Sequence, residues 1–364
     1  MKRAHLILML VLVTMITPAG LSGQDTVANR PVKEIGLKLH QGFVLVHSRE
    51  LRPIEDSYPT GLELNLAWHK TSEKAWRACH CYPKLGISVA FWNYDNKEVL
   101  GYGLISMFYI EPVFGASRKT SFSIRAGMGL SYQNKPHDAI TNPDNFSYST
   151  QIAFPLQIGG SLHIRLQPQW YLDVTAAYNH FSNGGIRQPN KGINWPTAAL
   201  GIGYYLEPPE FKIRTKEDWR AETKPETRFD LIFFMAINEA QSNTHVASPG
   251  IEIKYSKQFG RINAYTIGAE WIYDNKARYA IEQSDGTENP QKGSLAIGHE
   301  FLLGKFLFSQ QIGYYIYKPY APGDEVYQRY GLVFRAFNRL SAGINLKAHR
   351  HVADFLDLRV GWIL

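Results

Sequence analysis

Apolar residues alternate with polar or small ones along most of this chain, and clusters of Gly, Pro, Asn and Asp interrupt the alternation. Period-two alternation marks extended strands, because successive side chains leave opposite faces. It predicts strands at 34–47, 60–72, 86–94, 98–113, 117–132, 150–166, 168–182 and 195–207. It predicts further strands at 226–240, 247–258, 261–274, 292–303, 306–319, 326–337, 340–349 and 353–364. The joints after even-numbered segments are tight and include Gly115-Ala116-Ser117, Gln167-Pro168, Gly260-Arg261, Gly304-Lys305 and Asn338-Arg339. Those after odd-numbered segments include the longer polar stretches 133–149, 183–194 and 275–291. Short turns at one rim and longer loops at the other characterise bacterial transmembrane barrels, whose termini lie on the short-turn, periplasmic side. Two joints depart from the rule: 73–85, and 208–225, where Pro208, Pro209 and Pro225 bracket a charged segment. Either suits a small periplasmic helix or a plug.

The first residues change the picture from a β protein to an exported one. Lys2 and Arg3 precede an apolar stretch from Leu6 to Ile16, followed by Pro18 and small residues up to Gly23. That is the layout of a signal peptide, too short to span a membrane as a helix, with cleavage expected near Gly23 and Gln24. No later apolar run approaches spanning length. The aromatic share of 13%, with 21 Tyr, 19 Phe, 8 Trp and 30 Gly, suits strands with one face in lipid and the other in a polar interior. The expected fold is therefore an all-β, transmembrane, antiparallel outer-membrane β-barrel with an even strand number, about 14–16. Residues 1–23 are assigned to the signal peptide and 24–364 to the barrel of a Gram-negative outer membrane. Because 208–225 divides the strands evenly, two tandem small barrels are the alternative to the single larger barrel preferred here.

The formal charge of +7 is moderate and its cations are scattered, which argues against nucleic-acid binding and leaves attraction to anionic lipopolysaccharide as a use. Cys79 and Cys81 flank His80. In an extended chain a disulfide between them is strained, so a thiol pair in a loop is expected, with metal binding alongside His69 or His80 as the alternative. His163, His299, His349 and His351 show no metal-ligand spacing and are assigned to the lumen or rim.

Segment 168–182 carries the candidate chemistry. Its even positions, Trp170, Leu172, Val174, Ala176 and Tyr178, make the lipid face, and Asp173 on the odd face points into the lumen. The same parity puts His180 and Ser182 outside, at the outer-leaflet end of the strand. Their Cα atoms are about 6.6 Å apart at the ordinary strand rise, within reach of a leaning imidazole. Ser182 then suits a nucleophile and His180 its general base. Asn194 shares the outward parity of Pro196, Ala198 and Leu200 on the next strand, so the three side chains meet. On spacing alone, a polar pair at a barrel rim is more often interfacial than catalytic.

The run His180-Phe181-Ser182-Asn183-Gly184-Gly185-Ile186-Arg187-Gln188-Pro189-Asn190-Lys191-Gly192-Ile193-Asn194 resembles the signature of the PagL family of lipid A 3-O-deacylases, outer-membrane barrel esterases. The family's stretch reads His-Tyr-Ser-Asn-Ala-Gly, a basic residue, Gln-Pro-Asn and Gly-Ile-Glu. The likeness fades to a general barrel pattern over 34–207, and 226–364 lies outside the family's eight-stranded members. The resemblance implies that Ser182 attacks an acyl ester, His180 moves the proton, and Asn183 with the Gly185 N–H holds the oxyanion. It also implies lipid A as the substrate and no cofactor or metal. The oligomeric state is left open. One departure bears on activity: the family's third triad member is glutamate, and Asn194 stands there. An amide can orient an imidazole but cannot stabilise its cation, and in serine proteases that exchange costs roughly 10⁴ in turnover. Neither Asp173 nor Glu207 is placed to substitute. The expected function is a lipid A deacylase-like serine esterase. The alternative is a non-catalytic barrel, channel or scaffold, that keeps the family's loop without its acid.

Overall fold

Sixteen strands form where the alternation predicts them, and they close into two barrels of eight. The structure is a computed structural model and describes residues 30–216, 220, 224–241, 244–320, 323–337, 339–350 and 352–364. The expected signal peptide, Asn338 and His351 lie outside the described residues. The first barrel comprises β1 (Val32–Gly42), β2 (Thr60–His69), β3 (Tyr82–Asn93), β4 (Tyr102–Phe114), β5 (Thr120–Gln133), β6 (Ile152–Arg165), β7 (Trp170–Ser182) and β8 (Ile193–Tyr205). The second comprises β9 (Thr227–Gln241), β10 (Thr244–Gln258), β11 (Asn263–Tyr273), β12 (Gln291–Leu303), β13 (Phe306–Tyr317), β14 (Val326–Arg335), β15 (Leu340–His349) and β16 (Val352–Ile363).

The expectation of one larger barrel is corrected. The free edge of β8 returns to β1, in register from Glu34↔Tyr205 to Gly42↔Thr197, and β16 pairs with β9 from Asp357↔Ala236 to Ile363↔Asp230. Closure removes every unpaired edge that lipid could not satisfy, and eight strands suffice for it. Alternation fixes which face each side chain takes. It carries no information about which strand pairs with the last, so both arrangements produce the same sequence pattern.

Outside, each barrel presents an apolar belt: Leu37, Leu39, Leu64 and Ile158 on the first, Phe233, Ile253, Ile297 and Leu358 on the second. Inside, alternate positions carry charges that bond across the lumen. Lys84 meets Glu34 at 2.9 Å, Lys38 meets Asp173 at 3.0 Å and Arg125 meets Glu63 at 2.8 Å. In the second barrel Glu300 accepts from Arg228 at 2.7 Å and Lys254 at 2.6 Å, and Arg329 bridges Glu270 and Asp357. The voids among these side chains have room for about one water molecule. Buried ions are tolerated only when paired in this way, and the pairing fills the cross-section.

Among the described residues, α1 (Glu73–Cys79) forms in the joint expected to hold a small helix or a plug, while a 3₁₀ turn at Arg49–Ile54 and α2 (Asn275–Gln283) escaped the period-two reading. The Ser72 hydroxyl caps α1 by accepting from the Ala75 N–H. The two irregular joints meet at the periplasmic end of the first barrel. Phe211 packs against a cluster of Trp76, Tyr82, Val113 and Ala116, the Tyr82 hydroxyl donates to the Lys212 carbonyl, and Arg214 pairs with Glu73. Cys79 and Cys81 are joined by a disulfide, against the expectation of a thiol pair. That expectation assumed an extended chain, whereas α1 ends between them with His80 in the left-handed conformation.

Candidate active site at the outer rim of the first barrel

The outer half of the first barrel is filled by an apolar cluster, and that filling aims the candidate site outward. Phe181 is fully buried, edge-on to Tyr148 and Trp195, with Ile193 in the same cluster. Side chains on either side of an inward residue must leave the opposite face. His180 and Ser182 flank Phe181, and Asn194 lies between Ile193 and Trp195. His180 and Asn194 are register partners on β7 and β8, while Leu156 and Phe154 of β6 lie opposite His180 and Ser182. Below them the outer face continues as Ile158 and Tyr178, both exposed.

Of the predicted trio, the structure bonds two. His180 Nδ1 and Asn194 Oδ1 are 2.7 Å apart. Ser182 is 5% exposed, and its Oγ accepts from the Gly184 N–H at 3.4 Å; it is not hydrogen-bonded to His180. Asp173 bonds Lys38 and His163 in the lumen, as its parity requires, and Glu207 follows β8 at the opposite rim. Trp170, also on the lipid face, lies twelve residues before Ser182 on the same strand. At a strand rise of about 3.3 Å per residue that is roughly 40 Å away. Trp170 packs at a tilt against Tyr204 at the periplasmic end and is out of reach of anything bound at Ser182.

The loop after β7 holds together through Asn183. Its amide Nδ2 donates to the Arg187 carbonyl at 2.7 Å and to Ser149 Oγ at 3.1 Å, and its Oδ1 accepts from the Gly185 N–H at 3.1 Å. Its own N–H donates to Asn190 Oδ1. The two expected oxyanion donors, Asn183 and Gly185, are thus brought together but bonded within the loop. The Gly184 N–H is the one that reaches Ser182 Oγ. Gly184, Gly185 and Gly192 all have positive φ, as such a turn requires.

Two neighbours of the site are invisible in its local sequence. His47, beyond the end of β1, lies with Nδ1 3.0 Å from Asn194 Nδ2, across 147 residues of chain. The second barrel touches the loop as well: Glu239 accepts from the Gln188 N–H at 2.7 Å, and His245 Nε2 lies 2.9 Å from the Ile186 carbonyl. The only earlier hint of His47 was the alternation of 34–47 running past the strand's end. Among the described residues, no three His, Cys, Asp or Glu side chains are placed to hold a metal ion. His163 lies in the lumen, whereas His299 belongs on the opposite face from the buried Glu300, against Phe259 and Phe301.

Lumens blocked by ion pairs, apolar outer belts and a His–Asn pair on the lipid side define an outer-membrane β-barrel protein with a candidate lipid-facing hydrolytic site. Residues 60–203 match the family model described as Lipid A 3-O-deacylase (PagL), and residues 227–364 match that of the Acyloxyacyl hydrolase, C-terminal domain. The first barrel is thus similar to the PagL family, and the protein resides in the Gram-negative outer membrane. No curated protein matches the chain. Among solved structures, the outer-membrane enzyme PagL is 16% identical, with a TM-score of 0.36 over 46% of this chain and 97% of that one. Neisserial surface protein A is 6% identical, with a TM-score of 0.33 over 47% and 96%.

Proposed function

We propose that this protein is a serine esterase that removes an ester-linked acyl chain from lipid A in the outer leaflet. The observation that carries the reading is the His180–Asn194 bond on the lipid-facing side of β7 and β8, beside Ser182. Ser182 Oγ attacks the ester carbonyl, and His180 Nε2 takes its proton and returns it to the departing sugar hydroxyl. Water then repeats the exchange to release the fatty acid. The Gly184 N–H is the oxyanion donor nearest the nucleophile, with Asn183 and Gly185 shaping the loop that presents it; one such donor is typically worth about 10²–10³ in turnover. Because Ser182 is buried and apart from His180, the loop opens when lipid arrives and the hydroxyl swings onto the imidazole, a tightening common when substrate binds. Leu156, Ile158 and Tyr178 offer the acyl chain an apolar track down the barrel wall.

Asn194 in place of a carboxylate, together with the unmade Ser182–His180 bond, favours a second reading as a non-catalytic scaffold. The charged cross-braces argue against the channel version of it. Mass spectrometry of lipid A from cells with and without the protein separates the readings. Loss of one hydroxyacyl chain, abolished by Ser182→Ala and by His180→Ala, is the outcome expected of the esterase. Unchanged lipid A would leave the scaffold.

A further inference from the structure

We infer that His47 is a positioning residue, which turns the Asn194 amide so that an uncharged side chain can hold His180 in the tautomer a general base needs. The inference rests on the esterase reading above and concerns how that site works without a carboxylate. Asparagine is ambiguous where glutamate is not: its oxygen accepts, its nitrogen donates, and the two are nearly the same shape. If the nitrogen faced His180 Nδ1, the imidazole would have to accept there and carry its proton on Nε2, the atom that must be empty to take the Ser182 proton. The third group around Asn194 settles the choice.

The chain of bonds starts at a carbonyl. His47 Nε2 lies 3.0 Å from the Lys191 oxygen, which can only accept, so Nε2 carries the proton. In the neutral ring Nδ1 is then a lone pair, and it meets Asn194 Nδ2 at 3.0 Å as acceptor. The Leu45 carbonyl stands farther from Nδ1, at 3.5 Å, beyond the range of a good bond. With its nitrogen committed to His47, Asn194 turns Oδ1 to His180 Nδ1 at 2.7 Å, and Nδ1 must donate. The lone pair of His180 is left on Nε2. Lys191 O, His47, Asn194 and His180 thus form one directed series of bonds, each polarity following from the last.

The backbone holds His47 in place for this task. Beyond β1 the ladder to β8 continues, with the Phe43 N–H donating to the Pro196 carbonyl and the Leu45 N–H to that of Asn194 itself at 2.8 Å. Lys191 is fixed from the other side by Glu50 of the 3₁₀ turn, at 3.2 Å.

The test is a double-mutant cycle on the full chain, read by deacylation and by ¹⁵N-histidine NMR in micelles, with the His180 signal identified by its loss in His180→Gln. His47→Ala is expected to lower turnover about tenfold or more, but less than about threefold in the Asn194→Glu background, where an acceptor-only side chain has no wrong way round. His47→Asn, whose Oδ1 falls near the position of the imidazole Nδ1, is expected to restore most of the loss. The NMR is expected to show His180 protonated on Nδ1 in the wild type and shifted toward Nε2 in His47→Ala. An unchanged His180 tautomer, or equal losses in both backgrounds, overturns the inference. The NMR needs no turnover, so a wild type devoid of deacylase activity would remove the esterase reading while the role of His47 is still decided. Heat-modifiable gel mobility shows that each variant has folded.

Discussion

An amide beside an imidazole supplies direction without charge, and the reaction should register both halves of that statement. Asn194→Glu adds a negative charge next to the imidazolium that forms as Ser182 attacks, so turnover should rise about tenfold or more. Asn194→Leu leaves His180 Nδ1 without its acceptor and should lower turnover by about 10². Equal rates for all three side chains would show that position 194 does not act on His180. The outward parity of His180, Ser182 and Asn194 was legible in the sequence because an inward aromatic beside each polar residue fixes the face. His47 was not legible. It is brought to Asn194 by barrel closure, and nothing in the spacing along the chain records that closure.

At the scale of the element, the loop from Asn183 to Gly192 is where the rim becomes a site. Gly192 has φ +72°, and a Cβ built there would stand 2.7 Å from His180 Cε1. Gly192→Ala should therefore push the ring off Asn194, at a strain of about 1–3 kcal/mol, and lower turnover while the barrel still folds. Normal turnover in a folded Gly192→Ala protein would show that the ring does not need its place. Gly185 faces the second barrel in the same way, its would-be Cβ 2.7 Å from the Asp354 carbonyl. Glu239→Gln keeps the bond to the Gln188 N–H but removes its charge, and a several-fold fall in turnover is expected; no change would confine the second barrel to a passive role. The strands themselves were legible to within a few residues, since lipid on one face and a polar lumen on the other impose strict alternation. The 3₁₀ turn and α2 were not, because each is a short helical stretch within a loop, with too few turns to show a helical period, whereas α1 falls in the 73–85 joint that the sequence marked for a small helix or a plug.

Across the whole molecule, two small barrels behave differently from one large one. A sixteen-stranded cylinder leaves a water-filled channel, whereas here each lumen is crossed by ion pairs. Planar bilayers containing the protein should show no steady conductance, and a stable open channel would contradict the packing. Glu300, fully buried between Arg228, Lys254 and Ser256, is a keystone of the second lumen. Glu300→Ala leaves two buried cations short of a partner and should destabilise the fold by about 3–5 kcal/mol, seen as a lower urea midpoint; an unshifted midpoint would mean water already reaches them. The even division of strands by 208–225 was visible in the sequence, but the choice between one barrel and two depended on which edge β8 meets. The central claim is that Ser182, outside the first barrel, cleaves an acyl ester of lipid A, and the most direct measurement is fatty acid released from purified lipid A in mixed micelles by the wild type and by Ser182→Ala. The account predicts one 3-hydroxy fatty acid per lipid A from the wild type and none from the variant. Equal release from both, or release from neither, would contradict it.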